Sequence, residues 1–386
     1  MNKKIILRGP FLTSSGYGVH ARQIARYVLD NFPNCTIKVE PLPWGITSWK
    51  INPDDEGGLI GRIMDKSGTQ ISGKADISIQ VQLPNEWDTT IAHRNIGVTA
   101  GVETDRCNPE WINCVNKMDM VIVPSNHAKL CFENTSNNID TPIKVIPESF
   151  HDSITNSNEE IDLNLNTKFN FLLVGQLTAT TPDADRKNTF YAIKWFCEAF
   201  KDRKDVGLIV KTNRGKNTTL DFRLIDNLFA KLVNEVRQGE YPKIHLLHGN
   251  LSNEKIAALY KNKRIKALLA PTKGEGYGLP ILEAAASGLP VIATDWSGHL
   301  DFMNLGKFIK LDYDLTNIPD ERVDNAIFVK DSKWAMPKEE DFKQKLLKFS
   351  KGDSIPRKWA SNLSKKIREK YSFEEISKLY DDVLQI

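Results

Sequence analysis

Apolar residues fall into short runs divided by polar segments whose apolar positions keep helical spacing, and the two kinds alternate along most of the chain. Lys4 to Leu7 is the first run and stops at Gly9-Pro10. After the loop Thr13-Ser14-Ser15-Gly16-Tyr17-Gly18, apolar residues at Val19, Ile24, Val28 and Leu29 predict a helix over 19–29. Further strands are predicted at Thr36–Val39, Asp76–Val81, Ile96–Thr99, Met120–Val123 and Ile143–Ile146, with Ser125 capping a helix through Cys131. Residues 50–74 are polar and glycine-bearing and read as loop.

A second series follows. Strands are predicted at Phe169–Val174, Val206–Val210, Ile244–Leu247, Lys266–Ala270 and Val291–Ala293, with helices over 188–200, 220–237 and 253–261. Between the series, residues 151–167 (HDSITNSNEEIDLNLNT) have the Asn/Ser-rich composition of a linker. That places the boundary near residue 165 and predicts an α/β protein of two doubly wound, Rossmann-like domains. From about residue 335 the chain reads as helices. The last, Phe373 to Leu384, carries one apolar stripe of Phe373, Ile376, Leu379, Tyr380 and Val383.

Composition adds exclusions. At 386 residues the chain suits two domains, and 40% hydrophobic with 26% charged residues is ordinary for a soluble protein. No apolar run approaches the roughly twenty residues of a membrane span, and MNKKIILRGPF reads as a first strand rather than a signal peptide. Five cysteines without a close pair point to a reducing cytoplasm and away from zinc. A net charge of +3 gives no indication of nucleic acid. Residues 343–370 hold ten Lys or Arg against Asp353 and Glu369, which reads as a solvated basic face or as a contact with anionic lipid head groups.

The chemistry concentrates in residues 265–304. The strand ending at Pro271 opens into Gly274-Glu275-Gly276-Tyr277-Gly278-Leu279, Pro280 stands at the start of a helix, and Gly288 and Pro290 end it. A helix N-terminus opening on a glycine loop binds anions, phosphate above all. Glu275 sits in that loop and Glu283 about one turn into the helix. Ionised carboxylates only accept hydrogen bonds, so sugar hydroxyls are their natural partners. The loop therefore reads as a site for a ligand with both phosphate and sugar hydroxyls.

Glu275 and Glu283, set in GEGYGLPILEAAASGLPVIAT, resemble the paired-glutamate motif of the group 1, family four retaining glycosyltransferases of GT-B fold. WSGHLDFMN (296–304) resembles a companion stretch of their polysaccharide-building branch. The resemblance is best over 168–304 and weaker over 1–30 and 95–147. It implies a cleft between the two domains, with 1–165 on the acceptor side and 166–355 on the donor side. Helices in 356–386 would complete the chain, the last one crossing back to the first domain.

The resemblance also implies roles. Glu283 would hold the nucleotide ribose and Glu275 the donor sugar, with the loop at Gly276, Tyr277, Gly278 and Leu279 on the diphosphate. Gly249 and Asn250 would lie against the base. A basic pair after the first strand of the second domain would grip the diphosphate. Its usual first position holds Gln176 here, so Lys187 matches and Arg186 is the candidate replacement, with Lys211 a further cation. Asp183-Ala184-Asp185 looks like a metal-binding Asp-x-Asp but lies in the wrong half of the chain, so no metal is expected. Gly16, Tyr17, Gly18, His20, Arg22, Glu103 and Arg106 are cleft or acceptor candidates, against readings as a tight turn and a helix-entry loop. His20 and Glu103 are the only candidates for a base.

The expected activity is metal-independent, retaining transfer from a nucleotide sugar, such as a UDP- or GDP-sugar, to an acceptor hydroxyl. No resident cofactor is expected. The acceptor would be a glycan or lipid-linked glycan, with protein, small-molecule or modified nucleic acid acceptors left open. The location would be cytoplasmic, with peripheral contact at the inner membrane face. Rival readings are a nucleotide-sugar epimerase of the same fold and a non-catalytic nucleotide-sugar-binding scaffold.

Overall fold

The computed structural model describes residues 2–384. The chain divides into two compact units. One holds the residues up to Ser149, Asn325–Val329 and the segment from Phe373 on. The other holds Phe150–Asp324 and Lys330–Ser372.

The first unit runs β1 (Lys4–Gly9), α1 (Gly16–Asn31), β2 (Thr36–Pro41), α2 (Leu59–Ser67), β3 (Ala75–Val81), β4 (Ala92–Val98), α3 (Glu110–Val115), β5 (Met120–Val123), α4 (Asn126–Thr135) and β6 (Ile143–Val145). Its six parallel strands lie in the order β2-β1-β3-β4-β5-β6. Ile5, Leu7, Ile79, Val81, Ile96 and Val98 are buried, as parallel strands covered on both faces require. Ser15 and Ser125 cap α1 and α4, accepting from the amides of Gly18 (2.9 Å) and Ala128 (3.1 Å).

The second unit runs α5 (Ser153–Asn156), β7 (Phe169–Val174), α6 (Thr189–Ala199), β8 (Val206–Thr212), α7 (Thr219–Val236), β9 (Lys243–His248), α8 (Asn253–Lys261), β10 (Ile265–Ala270), α9 (Leu279–Ser287), β11 (Val291–Thr294), α10 (Leu300–Met303) and β12 (Ile309–Leu311). An antiparallel hairpin of β13 (Tyr313–Asn317) and β14 (Lys333–Pro337) follows, then α11 (Glu339–Lys351) and α12 (Ser354–Lys370). The parallel sheet is ordered β12-β11-β10-β7-β8-β9. The chain therefore reverses its direction of travel across the sheet between β7 and β10. In open α/β sheets ligands bind at the carboxyl ends of the strands beside such a reversal.

The final helix, α13 (Phe373–Leu384), belongs to the first unit. Tyr27 donates to Asp381 at 2.6 Å, and the Arg94 guanidinium donates to the carbonyls of Leu384 (2.5 Å) and Val383 (3.2 Å). Helix α12 instead stays on the second unit. Ser364 Oγ (2.8 Å) and Arg368 Nε (2.7 Å) both donate to the Ala286 carbonyl in the last turn of α9, where donors and positive charge are favourable.

Two readings of the sequence need correction. Residues 50–74 include α2, because Leu59, Ile60 and Ile63 bury one face despite the polar average. The division falls at 149/150 and not near 165. The polar stretch after it is fastened to the second unit: Ser153 donates to Glu254 (3.0 Å), Lys261 to the Ser157 carbonyl (2.8 Å) and Arg264 to the Leu165 carbonyl (2.7 Å). Of the helices in 356–386, α12 lies with the second unit and α13 with the first. Within the basic stretch, Lys343 pairs with Glu198, Lys345 with Asp312 and Asp341, and Arg357 with Asp353, which fits the solvated-face reading. No helix among the described residues is long and apolar enough to cross a membrane.

Candidate functional site

The loop after β10 is shaped by a clamp. Gly278 begins α9 at φ +99°, and a Cβ there would meet the His299 Cβ at 3.1 Å, so only glycine fits well. Gly298 approaches closer still: a Cβ on it would lie 2.1 Å from the Gly276 carbonyl oxygen. Glu275 donates its amide to Ser297 Oγ and accepts from the Gly298 amide at its carbonyl, both at 2.9 Å. The 296–299 turn therefore holds the loop, and the positive φ falls at Gly278 rather than at Gly274 or Gly276. His299 is fully buried with Nε2 2.8 Å from the Thr294 carbonyl, which only accepts, so Nε2 carries the proton. Burial keeps this ring neutral by lowering its pKa.

The reversal between β7 and β10 sets the loop after β7 against this one. Lys187 Nζ lies 2.7 and 2.9 Å from the two carboxylate oxygens of Glu275. Arg186 donates to the Gly274 carbonyl at 2.6 Å and stands 3.4 Å from Glu275 Oε2. Burial alone would raise the Glu275 carboxyl, but the Lys187 ammonium and the Arg186 guanidinium outweigh it and hold it at about 2. Glu275, Lys187 and Arg186 thus form one ionised cluster. The acids nearby are engaged in building the loop. Asp185 accepts from the amide (3.2 Å) and hydroxyl (2.8 Å) of Thr178 and from the Thr189 amide (2.7 Å), and Asp183 accepts from Tyr191 at 2.8 Å.

Lys273 is a residue the sequence reading passed over. It is 1% exposed, and its ammonium donates to the carbonyls of Pro182 (2.9 Å) and Asp183 (2.6 Å). Its amide donates to the Arg186 carbonyl at 2.8 Å, and the Trp334 ring lies 5.0 Å from Nζ. Burial lowers its pKa to about 8, against the pull of Asp185 and Asp183. Lys273 is a positioning residue, tying the segment that carries Arg186 and Lys187 to the glycine loop.

Glu283 is half-buried in α9, and burial raises its pKa to about 7, opposed by a hydrogen bond from Tyr260 of α8. Farther along the same sheet edge, Lys211 donates to Asn213 Oδ1 and the Gly249 carbonyl, both at 2.6 Å. Burial brings its pKa down to about 8. Asn213 and Asn217 each donate to Asn250 Oδ1 at 2.9 Å. In this arrangement Lys211 fixes the 249–250 turn. The Tyr277 ring is buried 5.4 Å edge-on from Phe302 and packs in the core.

In the first unit, Tyr17 joins the loop after β1 to the loop after β4. Its hydroxyl lies 2.9 Å from Thr99 Oγ1 and accepts from the Ala100 amide at 3.0 Å. A Cβ on Gly18 would meet the Thr13 carbonyl oxygen at 2.2 Å, whereas one on Gly16 would meet nothing within 4 Å. Gly18 is therefore structural, and Gly16 leaves open ground. Glu103 is half-buried and Arg106 exposed beside Asp105 at 3.8 Å. His20 is corrected. It is 2% exposed, Nε2 is 3.5 Å from the Tyr380 hydroxyl, and burial lowers its pKa to about 4. This is a packed histidine, not a base. Arg22 is likewise interior, donating to the carbonyls of Phe11 (2.9 Å) and Thr13 (2.8 Å) and pairing with Glu56 at 2.8 Å.

Comparison with known proteins gives three kinds of likeness. Residues 186–314 match the family described as "Glycosyl transferases group 1". Over 125 residues, 32% of this chain, the sequence is 33% identical to the "Serotype-specific mannosyltransferase WbdA" of Escherichia coli, and the match spans 13% of that protein's length. Among solved structures, the sucrose-phosphate synthase of Thermosynechococcus elongatus superposes over 100% of this chain and 98% of its own, with a TM-score of 0.63 and 12% identity. TarM of S. aureus, solved with Fondaparinux, alpha-GlcNAc-glycerol and UDP, superposes over 79% of this chain and 54% of its own, with a TM-score of 0.54 and 17% identity. At such identities the structural likeness shows a common fold, the two-unit GT-B plan.

Proposed function

From the match of residues 186–314 to the group 1 glycosyltransferases we propose that the chain transfers a sugar from a nucleotide-sugar donor to an acceptor hydroxyl, with retention at the anomeric carbon and without a metal ion. The observation that carries the reading is the Glu275–Lys187–Arg186 cluster beside the start of α9. Binding of the donor diphosphate draws Lys187 and Arg186 onto the phosphate oxygens. The amides of Gly278 and Leu279 add to them, since those of Ile281 and Leu282 already bond to the Gly278 carbonyl. Glu275, released from its cations, then accepts from the sugar hydroxyls, and Glu283 accepts from the ribose.

As the anomeric C–O bond breaks, the electron pair leaves with the diphosphate, whose added charge the two cations stabilise. The acceptor oxygen forms the new bond on the same face and gives its proton to the departing phosphate oxygen, so no side-chain base is required. Mannose is the first sugar to test, because the E. coli relative is described as a mannosyltransferase. The acceptor is a glycan or lipid-linked glycan, and the setting is the cytoplasm, where five free thiols are stable.

The test is release of nucleoside diphosphate from a panel of GDP- and UDP-sugars, with product linkage read by NMR. Slow donor cleavage without acceptor supports the reading. A wild-type protein that cleaves no donor, or one that returns only an epimerised nucleotide sugar, overturns it.

A further inference from the structure

Residues 42–51 form a strap over the loop that follows β1. The Leu42 amide donates to the Gly9 carbonyl (2.8 Å), the Ser14 amide to the Ser48 carbonyl (2.9 Å) and the Lys50 amide to the Leu12 carbonyl (2.7 Å). Thr13 and Trp49 form an antiparallel bridge. On this backbone the Trp44 indole stacks on the Tyr17 ring with centroids 3.9 Å apart and planes at 21°. Tyr17 is itself fixed at Thr99 and Ala100. Ile46, Ile51 and Trp49 stand 78%, 73% and 45% exposed. Beside them lies the open ground at Gly16. So concentrated an exposed apolar patch marks an interaction site, and this one lies at the carboxyl end of β1, on the ligand side of an open sheet.

Charge decides what fits it. The only charged residue of the strap, Lys50, is turned to Glu56 at 3.4 Å. Asp54 and Asp55 follow directly, so an anionic bilayer or a polynucleotide would meet repulsion. An uncharged saccharide would not. Its C–H faces suit an indole, and its hydroxyls suit the surrounding backbone. Rigid aromatic rings also lose little side-chain entropy on contact.

We infer that the strap, with Tyr17, is the subsite for an uncharged glycan acceptor, with sugar rings lying on Trp49 and on the Tyr17–Trp44 pair. This deepens the glycosyltransferase reading and rests on it.

The experiment uses the full chain and three readouts: retention on an array of neutral oligosaccharides including α-linked mannose chains, acceptor KM, and donor cleavage without acceptor. Trp49→Ala is the main variant because its side chain is exposed. Trp44→Ala accompanies it, as does Ile46→Ser as a surface control. Trp49→Ala and Trp44→Ala are expected to weaken glycan retention and raise acceptor KM by about tenfold or more, the loss typical of an aromatic anchor. Donor cleavage should stay within about twofold, well under the tenfold that 1.4 kcal/mol represents. The inference is overturned if wild type retains no neutral glycan, or if Trp49→Ala retains glycans as wild type does. It is equally overturned if the strap binds phosphatidylcholine or phosphatidylglycerol vesicles and Ile46→Ser abolishes that, which would assign it to a bilayer. Glycan retention through Trp49 without donor cleavage by wild type would sink the transferase reading and leave the subsite standing.

Discussion

The Lys187 ammonium lies 2.7 Å from one carboxylate oxygen of Glu275 and 2.9 Å from the other. The two residues lie on loops that follow different strands, and they meet because β7 and β10 are neighbours in the sheet. On the proposed function the carboxylate occupies the cation that a diphosphate would seek. Donor binding would then be an exchange of partners, and both halves of the exchange can be measured.

Glu275→Gln removes the charge and keeps the shape. Turnover should fall by about a hundredfold, or roughly 2.7 kcal/mol of transition-state stabilisation. Affinity for the nucleoside diphosphate should not fall, because the phosphate no longer competes with a carboxylate for Lys187. Turnover assays and calorimetry on one preparation check this. Loss of both together would show that the residue only holds the loop.

Acid stability should report the same carboxylate. Its pKa in the folded protein is held at about 2, below the ordinary 4.5. The stabilisation is thus present above about pH 4.5 and is lost as pH falls towards 2. Melting curves from neutral pH downwards should fall more steeply for wild type than for Glu275→Gln. Parallel curves would contradict the ionised cluster.

Glu283 should make nucleotide affinity pH-dependent near neutrality. Burial raises its pKa to about 7, so half of the free protein carries it protonated there. Ribose hydroxyls donate, so they favour the ionised form. Affinity should be full above about pH 8 and fall by up to about tenfold per unit below pH 7. Glu283→Gln should bind more weakly at high pH and lose this dependence. Calorimetry across pH, with the variant correcting for titration of the phosphate itself, decides it.

Lys273→Met should act at a distance from the ligand. It removes the donor to the carbonyls of Pro182 and Asp183, each such hydrogen bond contributing about 0.5–1.5 kcal/mol. The melting temperature should drop, and donor KM should rise about tenfold, some 1.4 kcal/mol, as Arg186 and Lys187 lose their register. An unchanged donor KM in a destabilised protein would reduce Lys273 to ordinary packing.

Activity should survive chelation. Asp185 spends its oxygens on Thr178 and Thr189, and Asp183 accepts from Tyr191, so this pair is committed to holding its loop. Dialysis against EDTA followed by assay tests the point. Activity lost in chelator and regained with magnesium or manganese would refute it.

Much of this was legible in the residue order, for local reasons. Phe169–Val174 and Met120–Val123 were read to the residue because unbroken apolar runs end at Gly175 and Pro124. Helix α9 was read from Pro280 and Gly288, whose backbone limits act where they stand. What escaped depends on partners distant in sequence. Lys273 in a glycine loop reads as solvated until two carbonyls from the 182–183 segment close over it. The Asn/Ser-rich stretch 151–167 reads as a free tether, yet His151, Ser153 and the carbonyls of Ser157 and Ile161 are taken up by α8 and the residue after it. Helix α2 escaped because only three apolar residues, Leu59, Ile60 and Ile63, carry its buried face. His20 was read from its place after a glycine loop, while its burial depends on Tyr380, 360 positions away.

That last dependence sets an order of events on the ribosome. Synthesis delivers β1 to β6 first, but Tyr27, His20 and Arg94 wait for α13, which emerges only after everything from Phe150 to Ser372 has been made. The second unit can close while the first-made unit still exposes a seam for its final helix. A nascent chain halted after α12 is then a chain with one finished half, and chaperones or proteases would find their handle at the half that was translated earliest.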